Sequence, residues 1–425
     1  MIKKIMNNDY IFSVVAKIIT VITGIIYSIL YSRYLGAELR GTASVITNYA
    51  EMASLIMCLG VYQAYPFFKK KNKKDIYLEY INYIFGMLCI YILVASIIAI
   101  YMSHISNIYV FASLLAPVLM AIKQLNYVVM IENPKLRNTA SIKLELFDIL
   151  FLIILMLCTK VNYIYCIIFL ITKNIVYLII AISNLKINIT KIRPTLRGIM
   201  PYIKYGFIPM LTVILMEINY KIDVLMLEKM NVSMVDIGIY SLGVMLAQKI
   251  WLIPDALKDV LLSKLAKGRE ANEVARISRF SFTITIALII IMIIIGKPLI
   301  TVMYGSEYSS AYLVTLIILS GVLGMTFYKL IYSYNVVNGH KNINFIILSF
   351  TALINIIINY LLIPKNGMIG AAIASLVSYC FCGIVFLMYF CYKTKINIFN
   401  MICIKKDDIK SISKIIRRNN NVSKI

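Results

Sequence analysis

The chain has 425 residues, of which 61% are hydrophobic and only 15% charged, with a mean hydropathy of +0.85. No water-soluble domain has a use for that much apolar surface, so lipid must be the solvent for most of the chain. The formal charge of +24 would suit a nucleic-acid binder, but the basic residues are spread over short segments between apolar runs, where the positive-inside rule and anionic lipid headgroups account for them.

Taken in chain order, the first apolar run covers residues 11–30 behind Met1-Ile2-Lys3-Lys4. It resembles a signal peptide, yet it extends for about twenty residues, the length needed to cross hydrocarbon, and has no small-residue cleavage site. It is therefore read as a spanning helix. Hydropathy and charge interruptions predict twelve spans, at 10–32, 41–65, 80–103, 107–131, 143–159, 163–183, 205–228, 236–256, 280–303, 309–335, 344–363 and 367–392. With a cytoplasmic N-terminus, the inner segments hold 31 of the 43 Lys and Arg, the outer segments five, and the spans the other seven. This asymmetry predicts that both termini are cytoplasmic and that the protein lies in the cell membrane.

The outer segments are short and offer only scattered carboxylates such as Glu38 and Glu307, which is a poor basis for the paired acid–base chemistry of a membrane polymerase. His104 and His340 fall at opposite membrane faces, and the eight cysteines lie in apolar segments. Cys380 and Cys382 are two apart on a helix and point to different faces. No enzyme, metal site, cofactor or disulfide framework is expected. The expected fold is all-α and membrane-integral: a six-helix bundle over 1–185, a basic linker over 186–204, a second six-helix bundle over 205–392, and a basic amphipathic tail over 393–425 with Ile409, Ile412 and Ile415 beside Lys410, Lys414 and Arg417. Six spans in each half give the halves the same orientation, so any repeat is parallel, about an axis along the membrane normal. A faint echo supports one, since Gly41 opens span two and Gly238 opens span eight.

Four stretches go further: Arg33-Tyr34-Leu35-Gly36-Ala37-Glu38-Leu39-Arg40-Gly41; Asp223 to Leu227 with Gly238-Ile239-Tyr240; Tyr304-Gly305-Ser306-Glu307-Tyr308; and the run from Asn355 through Asn359, Pro364 and Gly367 to Gly370-Ala371-Ala372. In this order, over most of the chain, they resemble the polysaccharide (Wzx-type) flippases of the multidrug/oligosaccharidyl-lipid/polysaccharide exporter superfamily. The resemblance implies two six-helix bundles around a central cavity that opens alternately to either face and moves undecaprenyl-pyrophosphate-linked oligosaccharide outward, for capsule or O-antigen synthesis. The partners it implies are that lipid-linked substrate, anionic membrane lipids and other polysaccharide assembly proteins, with no nucleic acid. The superfamily's drug-exporting and lipid II-flipping branches share the architecture, so a drug cation antiporter and a lipid II flippase stay open as alternatives. In the last stretch, Asn355 and Asn359 share a helix face, Pro364 ends that helix, and Gly367, Gly370, Ala371 and Ala374 form a small-residue surface for close packing.

Seven basic residues fall within spans, where a charge costs about 2.5–3.5 kcal/mol at the bilayer centre on insertion scales. Lys297 lies near the outer end. Lys17, Lys123, Lys249 and Lys329 lie near enough to the inner face for snorkelling to compete with a cavity role. Lys173, in the middle of span six, has no such escape. Several cations around one aqueous cavity would suit a pyrophosphate, so Lys17, Lys173 and Lys249, with Lys123, Lys221 and Lys329 as further members, are the candidate substrate-binding residues. The lipid II branch carries basic residues in its first, second and eighth spans. Here spans one and eight offer Lys17 and Lys249, but span two carries Glu51 instead. Glu217 and Lys221 are four apart and can pair on one face. Glu145 and Asp148 are read as anions at the start of the fifth span, favoured by the helix N-terminus. Glu51 and Asp223 remain as candidate ion-coupling carboxylates.

Overall fold

The computed structural model describes residues 9–71, 76–185, 189–265 and 271–405, with the side chains of 9–18 and a few others outside the described set. Its helices are α1 (Asp9–Met57), α2 (Val61–Lys71), α3 (Tyr77–Met102), α4 (Asn107–Glu132), α5 (Pro134–Cys158), α6 (Tyr163–Ser183), α7 (Met200–Lys229), α8 (Met234–Lys249), α9 (Leu252–Leu265), α10 (Ala271–Tyr304), α11 (Ala311–Val337), α12 (Lys341–Thr394) and the short α13 (Phe399–Ile402). Among the described residues there is no strand. The predicted tail helix around Ile409–Arg418 lies outside them.

Among the described residues, seven helical stretches are long and apolar enough to cross a membrane. Two of these, Ile19–Lys71 and Asn342–Thr394, run to 53 residues each, about 80 Å at 1.5 Å per residue and more than twice the ~30 Å of hydrocarbon. Both are broken by glycine. Gly36 adopts φ 69°, ψ 175° and Gly367 φ 51°, ψ −131°, conformations that a Cβ disfavours strongly. Each stretch is thus two spanning segments joined at a glycine, where the hydropathy pattern predicts separate spans; the second break falls at Gly367, three residues beyond Pro364. α5 and α7 reach spanning length but carry more charge, and α8 has 16 residues. α7 alone includes Lys204, Glu217, Lys221, Asp223, Glu228 and Lys229.

The chain packs as two units: Met1–Ser241 with Val302–Tyr308, and Leu242–Thr301 with Ser309–Ile425. Among its described residues the first has two apolar cores. One gathers Cys58, Tyr65, Tyr80, Tyr83, Met120 and Tyr202 from α2, α3, α4 and α7 and the turn before α2. The other joins α1, α4, α5 and α6 through Tyr34, Ile46, Ala116, Leu152 and Phe169. Two glycine contacts bring helices to backbone distance within this unit. A Cβ on Gly41 would lie 1.9 Å from the Met234 carbonyl oxygen, and one on Gly60 2.2 Å from that of Gly206. Gly41 and Gly238 therefore pack against each other, α1 on α8, which is a direct reason for a glycine at both positions.

In the second unit α11 lies against α12, with Gly324 and Gly383 so close that a Cβ on the latter would sit 2.1 Å from the former's carbonyl oxygen. Asn355 and Asn359 are fully buried, and Asn355 Nδ2 donates to Ser378 Oγ at 3.1 Å while Asn359 Nδ2 donates to the Asn355 carbonyl at 3.0 Å. Ala371, Ala372 and Ala374 are buried beside them. This face serves packing, as its small residues predict.

Candidate functional site

Of the charges that the sequence places at membrane depth, Glu51, Lys123, Lys173, Glu217 and Lys221 come together in the first unit. Two adjoining cavities lie there, of about 480 and about 440 Å³, and both are bordered by Glu51, Leu119 and Ile122. The larger is lined from α1, α4, α6 and Ser241 in the middle of α8, including Arg40, Lys173, Tyr27 and Tyr31. The smaller is lined from α1, α4, α5 and α7, including Lys123, Arg137, Glu217 and Lys221.

In the smaller cavity Lys221 Nζ sits between two carboxylates. It is 2.8 Å from Glu217 one helical turn away, and it also donates to Glu51 of α1. The pair predicted within α7 is thus present, and Glu51 makes it a triad. Lys123, half-buried one turn beyond Leu119, has no ion-pair partner among the described residues. Arg137, near the start of α5, is exposed into the same space.

In the larger cavity Lys173 Nζ lies 2.9 Å from Asp148 Oδ2, which also accepts a 2.6 Å hydrogen bond from Tyr177. The ammonium stands 4.4 Å from the centre of the Tyr27 ring and 5.4 Å from that of Tyr177, within cation–π range. Asp148 is only 1% exposed and lies in the middle of α5, because that helix begins at Pro134 rather than at the predicted span start near 143. Its charge is held by Lys173 and Tyr177, which replaces the reading that a helix N-terminus stabilises it. Arg40 is buried and donates to Ser32 Oγ at 2.5 Å. Its place in the cavity wall was not expected, since hydropathy puts it in an outer loop; the glycines at 36 and 41, one at the non-helical break in α1 and the other against α8, are the signal that could have found it.

The other expected residues are not among those that line these two cavities. Asp223 is buried between α7 and α8, accepts from Tyr240 at 2.6 Å, and lines neither cavity. Lys249 ends α8 half-buried and belongs to the second unit, as does Lys329, which pairs with Asp255 at 2.7 Å and lies 4.5 Å from the Trp251 ring centre. Lys17 falls in α1, but its side chain lies outside the described residues. Among the described residues no group of His, Cys, Asp and Glu could hold a metal ion.

No protein-family model matches the chain. An uncharacterized membrane protein of Methanocaldococcus jannaschii is 34% identical over 108 residues, which make up 25% of this chain and 21% of that protein. The match spans about a fifth of the relative's length. Among solved structures, the lipid II flippase MurJ in an inward closed conformation superposes with a TM-score of 0.72 at 16% identity, covering 92% of this chain and 89% of that one. An inward-facing multidrug resistance MATE family transporter of the MOP superfamily gives 0.62 at 13% identity, covering 88% and 94%. A MOP superfamily transporter from Pyrococcus furiosus gives 0.59 at 13%, covering 90% and 94%. These neighbours are flippases and transporters, not enzymes, and the expected twelve-helix, two-bundle layout is consistent with their fold. At such identities the likeness speaks to fold, and the chain is a multi-pass, all-helical membrane protein with the fold of the MOP-superfamily transporters.

Proposed function

We propose that this protein is a flippase for undecaprenyl-pyrophosphate-linked oligosaccharide, working by alternating access in surface polysaccharide synthesis. The observation that carries the reading is the sign of the two cavities. Five cations line them, Arg40, Lys123, Arg137, Lys173 and Lys221, against the two carboxylates Glu51 and Glu217. Asp148 behind Lys173 adds a third carboxylate, and the balance stays positive. A pyrophosphate carries several negative charges and needs charge-assisted donors once it leaves water. Lys123, Lys221 and Arg137, which line the smaller cavity, are assigned to the headgroup. Glu51 is the preferred coupling carboxylate, because it already shares the cation that a phosphate would claim; Asp223 is the second candidate.

A drug cation antiporter of the same fold is the competing reading, favoured by the likeness to a multidrug resistance transporter. A cavity for organic cations would be expected to present an excess of carboxylates. The Pyrococcus furiosus neighbour is described by a binding pocket of reversed polarity that suggests a different function, so pocket sign is a sensible discriminator within this fold. The test uses the full chain in proteoliposomes, with fluorescent undecaprenyl-pyrophosphate oligosaccharide in one set and ethidium in the other. Lipid translocation that falls in Lys123→Ala, without ethidium transport, is the expected result. Ethidium transport with no lipid translocation would overturn the proposal.

A further inference from the structure

The two cavities differ in chemistry as well as position. In the smaller one Lys123 and Arg137 are available to an anion. In the larger one Lys173 is paired with Asp148, and Arg40, buried in the wall, donates to the Ser32 hydroxyl. What the larger cavity offers instead is aromatic surface and neutral polar groups. Tyr27 and Tyr31 stack on one another with ring centres 5.4 Å apart at 29°; Lys173 stands over the Tyr27 ring, and both tyrosines are only partly buried. Asn48 and Asn174 line the same space. Each anchors its amide through Nδ2, to the Ser44 and Leu170 carbonyls at 2.8 Å, which leaves Oδ1 to accept from a ligand.

We infer that the larger cavity is a sugar subsite, which holds the first pyranose of the lipid-linked chain while the smaller cavity holds the pyrophosphate. This rests on the flippase reading above and adds to it a place and a set of residues for sugar recognition. A pyranose has one apolar C–H face, slightly positive, and a rim of hydroxyls. The first matches the negative face of a tyrosine ring and the second matches free amide oxygens. Pyrophosphate fits the Lys173 end of this cavity poorly, because it would have to displace Asp148, 1% exposed, from the ammonium it is paired with. Connectivity agrees with the assignment. The first sugar is bonded directly to the pyrophosphate, so its subsite must adjoin the headgroup site, and the two cavities share Glu51, Leu119 and Ile122. A volume of about 480 Å³ is within the range of small-ligand pockets.

The experiment measures equilibrium binding to the full chain in nanodiscs with two kinds of probe: bare undecaprenyl pyrophosphate, and the same lipid carrying one glucose or one N-acetylglucosamine. Wild-type protein should bind at least one of the sugar-bearing lipids roughly tenfold more tightly than the bare one, the gain of one or two net hydrogen bonds and a ring contact. Tyr31→Leu and Asn174→Leu should remove that gain and leave affinity for the bare lipid unchanged, whereas Tyr31→Phe should keep most of it. Equal binding of all probes by wild type, or variants that weaken bare and sugar-bearing lipid alike, would overturn the sugar subsite while the flippase reading stood. Failure of every probe to bind wild type would instead bring down the flippase reading and this one with it.

Discussion

Replacing Lys221 by Ala removes the one ammonium held between Glu51 and Glu217 and leaves two carboxylates facing each other across the smaller cavity. Losing one partner of a fully buried pair costs about 3–5 kcal/mol, and an exposed pair is worth about 0–1 kcal/mol. With side chains 20% exposed for Lys221, 35% for Glu51 and 26% for Glu217, the site lies between these limits, and a loss of about 1–3 kcal/mol is expected. Lys123→Ala, one cavity wall away, removes a cation that has no ion-pair partner among the described residues and should cost little stability, although both lysines are assigned to the headgroup. Thermal unfolding in detergent separates the two, with Lys221→Ala clearly lowered and Lys123→Ala close to wild type. Adding Glu51→Gln to Lys221→Ala removes half of the uncompensated charge and should recover part of the loss. If Lys221→Ala is as stable as wild type, or Glu51→Gln brings nothing back, the triad does not hold these helices together and its lysine is free for other work.

Lys123→Ala should weaken undecaprenyl pyrophosphate binding by roughly ten- to a hundredfold, the worth of one charge-assisted hydrogen bond, with Lys123→Arg retaining most of it; direct binding to purified protein checks this. Lys173→Ala leaves Asp148 buried and unpaired at 1% exposure, so folded yield should fall sharply, and Asp148→Leu with Lys173→Met, which removes both charges, should restore it; size-exclusion profiles of the two variants decide the matter. Gly238→Ala should abolish folded protein, because its methyl would lie 1.8 Å from the Ala37 carbonyl oxygen, whereas Gly339→Ala, with nothing within 4 Å, should be tolerated apart from the strain of its φ of 78°; comparing expression of the two tests the packing contact. In a cysteine-free background, single cysteines at 69, 70 and 71 should label only after the membrane is permeabilised, and labelling of intact cells from outside would reverse the orientation assigned from the lysine count.

Whatever depends on composition and local spacing was legible in the order of the amino acids. A chain this apolar must be membrane helix, and the choice of helices over other structure follows because lipid offers no partners to backbone groups. The pairing of Glu217 with Lys221 was legible because one helical turn is a fixed distance, and so was the packing face of Asn355, Asn359, Ala371 and Ala374, where small residues mark close approach. Spacing does not reveal how each helix is rotated about its axis or which neighbour it meets. That rotation brings Glu51 of α1 to Lys221 of α7, Asp148 of α5 to Lys173 of α6, and Asp255 to Lys329, partners separated by 25 to 170 positions in the chain. Arg40 makes the same point from the other side. Hydropathy assigns it to water, and only the non-helical break at Gly36 and the contact between Gly41 and Gly238 put it in a cavity wall. A charge in lipid must find a partner or reach water, which the sequence states for each of these residues, but where the partner stands is settled by helix packing alone.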